Sequence, residues 1–164
     1  MSLSVAQLAW TAGVLDMRGK IQVKQNKMRA TRQMTLYVES GNLSVVRELG
    51  RLTGTVPEAR KSAREVFHRR GCNEHCEDPH VEVLADVVPQ AKWTVTGVAL
   101  AVVVGSVEPY LREPLRFAEA RDEVMEGLAV HGPGSGAIIK ALTRLEELGW
   151  DVPPALNHLL PVKV

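Results

Sequence analysis

The first segment of the chain has the apolar periodicity of an α-helix with two hydrophobic stripes. One stripe consists of Val5, Leu8, Ala12 and Leu15, and the other consists of Trp10, Val14 and Met17. Ser4 and Gln7 have the spacing of a capping box at the start of this helix. Gly19 is placed to end the helix in a left-handed conformation. A helix that is apolar on two faces has to cover a core and a second surface, which we interpret as another copy of the chain.

The period then changes from helical to two residues, which predicts a β-hairpin with one apolar and one polar face. Ile21 and Val23 alternate with polar residues, and the same alternation returns after the polar stretch 25–31. The inward positions of the second strand are Met34, Leu36 and Val38. The polar, basic face consists of Lys20, Gln22, Lys24, Gln33, Thr35 and Tyr37.

The rest of the chain continues this alternation of helices and strands. A short helix runs from about Asn42 to Gly54, and strands are predicted at about 62–70 and 80–85. Helical patterns follow from Trp93 to about Leu111, from about 115 to 130, and from about 136 to 149. The order predicts an α+β fold, αββαββα, with an antiparallel sheet, helices on one of its faces, and additional C-terminal helices. We expect one domain over 1–130, on which a linker and the C-terminal helix (131–164) pack.

The charges of the chain are unevenly distributed, although the net charge is only +1. Residues 16–71 contain 13 Lys and Arg against five acidic residues, so this segment carries +8 and the remainder −7. A basic first half favours a face that binds a polyanion, while the alternative is a solvated surface of uneven charge.

Composition limits the class of protein. The longest apolar run, 95–104, is shorter than the roughly 20 residues that a membrane span needs, so no membrane association is expected. No secretory signal is recognisable, and two cysteines beside five methionines fit a reducing compartment. We therefore expect a cytoplasmic protein.

Residues 8–21 resemble the start of a LAGLIDADG homing endonuclease domain. Ala12 and Gly13 occupy the small positions of that motif, and Asp16 and Gly19 match it. Residues 40–54, 92–97 and 109–111 resemble its later helices, so the likeness extends over about 5–125. It implies a half-saddle fold that forms a homodimer through paired helices, since the chain has one motif. The expected dimer interface consists of Trp10, Ala12, Gly13 and Val14.

The resemblance also raises the question of catalysis, because these domains bind the catalytic divalent metal through an acid directly before the last motif glycine. That position is Arg18 here, whose guanidinium has no lone pair to offer Mg²⁺. Pro114 stands where the family often has a lysine, and Arg112 or Arg116 would replace it only along a different backbone path. We expect a degenerate nuclease without catalytic residues; Asp16 is the candidate ligand if the chain is active.

The hairpin keeps the residues that binding duplex DNA would require. Lysine and glutamine side chains hydrogen-bond to base edges in the major groove, so the polar face is the expected reading surface. Lys27, Arg29 and Arg32 near the turn are expected to contact phosphates, and Arg18 adds a further phosphate contact.

A separate group of possible zinc ligands lies in the connection between the second pair of strands. Cys72, His75, Cys76 and His80 follow a C-x2-H-C-x3-H spacing, and zinc takes four nitrogen or sulfur ligands. His68 is an alternative ligand from outside this group. A polar hairpin with free thiols, or a Cys72–Cys76 disulfide formed on oxidation, explains the same residues.

Three functions follow from these observations. The first is a homodimer that grips duplex DNA without cutting it and serves as a regulator or accessory factor. The second is an active, Mg²⁺-dependent site-specific endonuclease, and the third is a module that binds a protein partner. Domains of this kind occur in phages and mobile elements, and the composition is compatible with such a source.

Overall fold

A computed structural model of the protein describes residues 2–25, 32–59, 64–68, 80–84, 90–129 and 135–160, and for 64–68 and 80–84 it describes the backbone alone. These ranges contain five α-helices, six strands and two 3₁₀ helices. In chain order they are α1 (Val5–Arg18), β1 (Gly19–Gln25), β2 (Arg32–Ser40), α2 (Leu43–Thr53), β3 (Glu58–Ala59), β4 (Arg64–His68), β5 (His80–Leu84), β6 (Ala91–Thr96), α3 (Gly97–Val107), the 3₁₀ helix Glu108–Tyr110, α4 (Leu115–Ala129), α5 (Gly136–Glu147) and the 3₁₀ helix Pro154–Leu159.

The main sheet has four strands in the order β1-β2-β6-β3, and every neighbouring pair is antiparallel. The hairpin predicted from the two-residue period is the pair β1–β2, in which Ile21 lies opposite Leu36. The predicted α+β class, with an antiparallel sheet and helices, is confirmed.

The third strand of this sheet corrects one prediction. The segment from Trp93 was expected to be helical, but residues 91–96 form β6, and α3 begins at Gly97. Trp93 and Val95 are buried while Thr94 between them is partly exposed, which is the alternation of a strand. Gly97 has a φ of +54°, a conformation that glycine adopts without steric cost where the strand turns into the helix.

The second pair of strands forms where it was predicted but does not join the main sheet. β4 and β5 pair with each other in a separate two-stranded sheet, with His68 opposite His80. The main sheet instead ends on the two-residue strand β3, in which Glu58 lies opposite Lys92.

In the described part of the chain, the helices cover one face of the main sheet, and no helix lies on the other, which we call the open face. Leu36, Val38 and Trp93 point into the core, where α1, α2 and α3 pack on β2 or β6. α3 is buried on nearly all sides and also contacts α4 and α5. Val23 was expected on the covered face but is 42% exposed, because burial decreases along the edge strand β1 away from Gly19.

The start and the end of α1 are both set by the sequence. Ser4 and Gln7 form the predicted capping box. Gly19 ends the helix in an extended conformation (φ −66°, ψ 134°), not the left-handed one expected, because the chain continues directly into β1. A Cβ at this position would lie 2.7 Å from the carbonyl oxygen of Leu15 and 3.1 Å from Cζ of Phe117, so only glycine fits.

The C-terminal part packs on the same chain. Leu142 and Leu145 of α5 are buried, and the indole nitrogen of Trp150 donates to the carbonyl oxygen of Leu52 at 2.7 Å. Near the N-terminus, the backbone amide of Leu3 donates to the carbonyl of Gly149 at 2.9 Å. Within the described ranges, no helix combines the length and apolar character needed to cross a bilayer.

Candidate nucleic-acid interface

The open face of the main sheet carries the six polar residues that the hairpin pattern singled out. The β1–β2 register places Lys20 opposite Tyr37, Gln22 opposite Thr35, and Lys24 opposite Gln33. Residues directly opposite each other in an antiparallel pair share a face, so the register brings these side chains together. All three residues of β1 and Gln33 are exposed, whereas Thr35 and Tyr37 are partly buried.

Strand β6 extends this face with three residues that were not among the candidates. Thr96 lies opposite Thr35, Thr94 lies opposite Tyr37, and Lys92 lies opposite Glu39. They were missed because the segment from Trp93 was interpreted as a helix. The alternation of Lys92-Trp93-Thr94-Val95-Thr96 directly before a glycine is the signal that identifies them.

The charge on this face changes from one edge to the other. Lys20 and Lys24 lie on the edge strand β1. At the opposite edge, Lys92 lies between Glu39 and Glu58 in the register. The ammonium of Lys92 also lies 4.3 Å from the centre of the Tyr37 ring, within the range of a cation–π contact. The face is therefore most positive at β1 and mixed in charge at β3.

The basic residues near the hairpin turn fall partly outside the described residues. This holds for Lys27 and Arg29. Arg32 begins β2, where its Nε lies 3.3 Å from a carboxylate oxygen of Glu123 on α4. Both side chains are partly exposed, so the ion pair competes with any phosphate that Arg32 would contact.

The end of α1 does not fit a divalent metal. Arg18 is exposed as the last residue of the helix. The Asp16 carboxylate accepts the backbone amide of Arg112 at 2.9 Å and that of Glu113 at 3.4 Å. Mg²⁺ is commonly held by one or two carboxylates together with water and phosphate oxygens, but both carboxylate oxygens of Asp16 already accept backbone amides, and the guanidinium of Arg18 has no lone pair to offer. In the described ranges, no group of three or more His, Cys, Asp or Glu is placed to hold a metal.

A second arginine reaches the same end of α1 from α4. Nη2 of Arg116 donates to the carbonyl oxygen of Leu15 at 3.3 Å, and the guanidinium carbon lies 4.4 Å from the centre of the Phe117 ring. Arg116 and Arg112 were considered from the sequence as substitutes for the family's lysine. The geometry brings the guanidinium of Arg116, and the backbone amide of Arg112, to the helix end.

The exposed face of α1 differs from the interface expected from the sequence. Trp10 is 37% exposed and Gly13 is exposed, as expected for an interface. Ala12 and Val14 are 0% and 6% exposed, because they pack into the core of their own chain, so their side chains are not available to a second copy. Met17, 78% exposed, takes their place on the stripe that runs through Trp10 and Gly13.

A groove between α1 and α2 lies next to this stripe. Its lining includes Ala6 and Trp10 from the first helix and Val45 and Leu52 from the second. Glu48 also lines the groove, and a side-chain hydrogen bond from Arg51 lowers the pKa of its carboxyl group. The apolar surface of α1 therefore continues beyond the helix itself.

The proposed zinc ligands remain a prediction. Cys72, His75 and Cys76 lie outside the described residues. His80 begins β5, of which only the backbone is described.

Two of the solved structures that are similar to this chain are homing endonucleases. The homing endonuclease I-CvuI in complex with its target has a TM-score of 0.49 and 15% identity, and the alignment covers 88% of this chain and 80% of that one. The archaeal intron-encoded homing endonuclease I-Vdi141I, complexed with DNA, has a TM-score of 0.45 and 13% identity over the same shares. No protein-family model matches the chain, and no curated protein matches it.

Proposed function

We propose that the protein binds duplex DNA through the open face of its four-stranded sheet, as a homodimer, and does not cut the DNA. The observation that carries this proposal is the register of β1 and β2. This register places the exposed Lys20, Gln22 and Lys24 on one face, together with Gln33 and the partly exposed Thr35 and Tyr37 of β2. Helices cover the opposite face.

The chemistry of this face suits the major groove of duplex DNA. The groove is about 12 Å wide and admits a two-stranded ribbon, and lysine and glutamine donate to the base acceptors that distinguish one base pair from another. Lys20 and Lys24 lie on an edge strand, so they also reach the phosphates that border the groove. Thr94 and Thr96 on β6 extend the polar surface behind this edge.

The homodimer is proposed from the exposed stripe of α1. Ala6, Trp10, Gly13 and Met17 recur at the spacing of one helix face, and all four are exposed. A Cβ built on Gly13 would meet no atom within 4 Å, so the monomer does not require a glycine there. A glycine that leaves open space on an apolar face suits the close approach of a second helix, and the resemblance of this segment to the LAGLIDADG motif implies the same pairing.

The absence of cleavage is proposed from the end of α1. Arg18 occupies the position of the expected metal ligand, and Asp16 holds the backbone of residues 112 and 113. Arginine stays protonated at any physiological pH, so it repels a divalent cation and attracts a phosphate.

The proposal is tested by measuring the affinity for duplex DNA over a series of salt concentrations. The change of both Lys20→Gln and Lys24→Gln is expected to weaken binding about tenfold or more and to reduce the salt dependence. Lys140→Gln is the control, because Lys140 is exposed on α5, which packs on α3 on the covered side of the sheet. Equal affinity of all three proteins, or an affinity that does not fall with salt, would contradict the proposal.

Cleavage is tested on plasmid DNA with Mg²⁺ or Mn²⁺, and no nicking is expected. Nicking that Asp16→Asn abolishes would assign the endonuclease function instead. If charge removal on the sheet leaves DNA affinity unchanged, a protein partner becomes the favoured ligand of this face.

A further inference from the structure

The guanidinium of Arg116 is held in place at the junction of α1 and β1. One of its nitrogens donates to the carbonyl oxygen of Leu15, and the group lies over the ring of Phe117. That ring is fully buried and lies against Gly19, the residue that joins the helix to the strand. The position of the Arg116 guanidinium therefore depends on its contacts with Leu15 and with the ring of Phe117, which is itself fixed in the core.

Most of the hydrogen-bonding capacity of Arg116 is left for a ligand. A guanidinium has five N–H donors in one plane, and the contact with Leu15 uses one of them. The residue as a whole is exposed, and within the described ranges it has no ion pair. A planar group with free donors and one face on an aromatic ring suits recognition of a phosphate, which takes two parallel hydrogen bonds.

Within the described ranges, a second arginine without an ion pair lies three residues after Leu15, at the last position of α1. Arg18 directly precedes Gly19, is exposed, and forms no ion pair with any residue that the structure describes. Among the acids close to the two arginines in sequence, Asp16 has its carboxylate occupied by two backbone amides, and Glu113 and Glu119 are exposed. Two positively charged guanidinium groups at the same helix end repel each other, and an anion bound between them relieves that repulsion.

We propose that Arg18 and Arg116 bind one phosphodiester group of the duplex at the α1–β1 junction without a divalent cation. This proposal rests on the proposed binding of DNA by the sheet, since Lys20 connects the junction to that face. Arg116 was considered from the sequence only as a substitute for the family's lysine, and the proposal gives it a phosphate contact that involves no metal.

The test is duplex binding in the presence of EDTA, with Arg116→Gln and Arg116→Lys as variants. In a dimer, Arg116→Gln removes one of the two guanidinium groups from each of two phosphates, so the affinity is expected to fall and the slope of log affinity against log salt to decrease by at most about 2, since Arg18 still contacts each phosphate. Arg116→Lys is expected to keep the slope and to bind more weakly than the native protein, because lysine retains the charge without the planar donors. Arg47→Gln is the control, since Arg47 is exposed on α2 and outside the sheet face.

Unchanged affinity and slope in Arg116→Gln would overturn the phosphate site. If Lys20→Gln with Lys24→Gln still weakens binding in that case, the proposed function stands; if neither change matters, both proposals fail. Circular dichroism of the two Arg116 variants checks that they are folded. Binding by the native protein that tightens when Ca²⁺ replaces EDTA would contradict the metal-free site.

Discussion

Replacement of Gly13 distinguishes the role of the exposed face of α1 in dimer formation from the stability of the monomer. In the monomer, a Cβ at Gly13 would meet nothing within 4 Å, so Gly13→Leu is sterically free there. Leucine favours a helix interior over glycine by about 0.8 kcal/mol, so the monomer should become more stable by about that amount. For a chain of 164 residues this corresponds to about 2 °C in the melting temperature.

In a dimer paired through α1, the same side chain would enter a space that the partner helix occupies. Overpacking costs about 1–3 kcal/mol for each inserted side chain, hence about 2–6 kcal/mol for the two copies. The lower value already raises the dissociation constant of the dimer about 30-fold. Gly13→Leu is therefore expected to change the two equilibria in opposite directions.

The assay is sedimentation equilibrium over a range of protein concentrations, with urea unfolding at a concentration where the chain is monomeric. Gly127→Leu is a matched control, because Gly127 is also an exposed helical glycine with no atom within 4 Å of an added Cβ. It is expected to leave the dimer unchanged. An unchanged dissociation constant in Gly13→Leu would refute the close pairing of the two α1 helices. A lower free energy of unfolding of the monomer would refute the claim that the space next to Gly13 is empty.

Three further predictions concern single contacts. Asp16→Ala removes the acceptor of two backbone amides and should lower the free energy of unfolding by about 1–2 kcal/mol, seen as a lower melting temperature; an unchanged value would contradict its structural role. Glu123→Gln releases Arg32, which shares the helix-covered face of β2 with Met34 and Leu36, so duplex binding should change by less than about twofold, whereas clearly weaker binding would mean that the ion pair positions the hairpin. Thr53→Val leaves the buried indole N–H of Trp93 without its acceptor and should cost about 1–3 kcal/mol in urea unfolding, while Thr53→Ser should cost less.

The elements with a clean periodicity could be predicted from the sequence. The alternation around Ile21 and Leu36 predicted the hairpin, because one of its faces is covered and the other is open. β6 has the same alternation but is followed immediately by α3, which is buried on nearly all sides and therefore has no polar stripe to mark its start. β3 contains two residues, too few to produce a pattern.

The errors at the interface have a related cause. Ala12, Gly13 and Val14 were all expected at the interface, but successive residues of a helix point about 100° apart, so these three cannot share one face with Trp10. The structure places Val14 in the core and leaves the smaller residues of the stripe, such as Gly13, exposed. The pair of Arg32 with Glu123 and the placement of Arg116 at Leu15 join distant parts of the chain, for which no local spacing gives a signal.

The central claim, that the open face of the sheet binds duplex DNA, is tested most directly by a lysine footprint. The protein is acetylated with and without sheared genomic duplex at low ionic strength, and the modification of each lysine is read by mass spectrometry. DNA is expected to protect Lys20 and Lys24, while Lys140 on α5 should react equally in both samples. Protection of Lys140 with unchanged reactivity of Lys20 and Lys24 would contradict this claim.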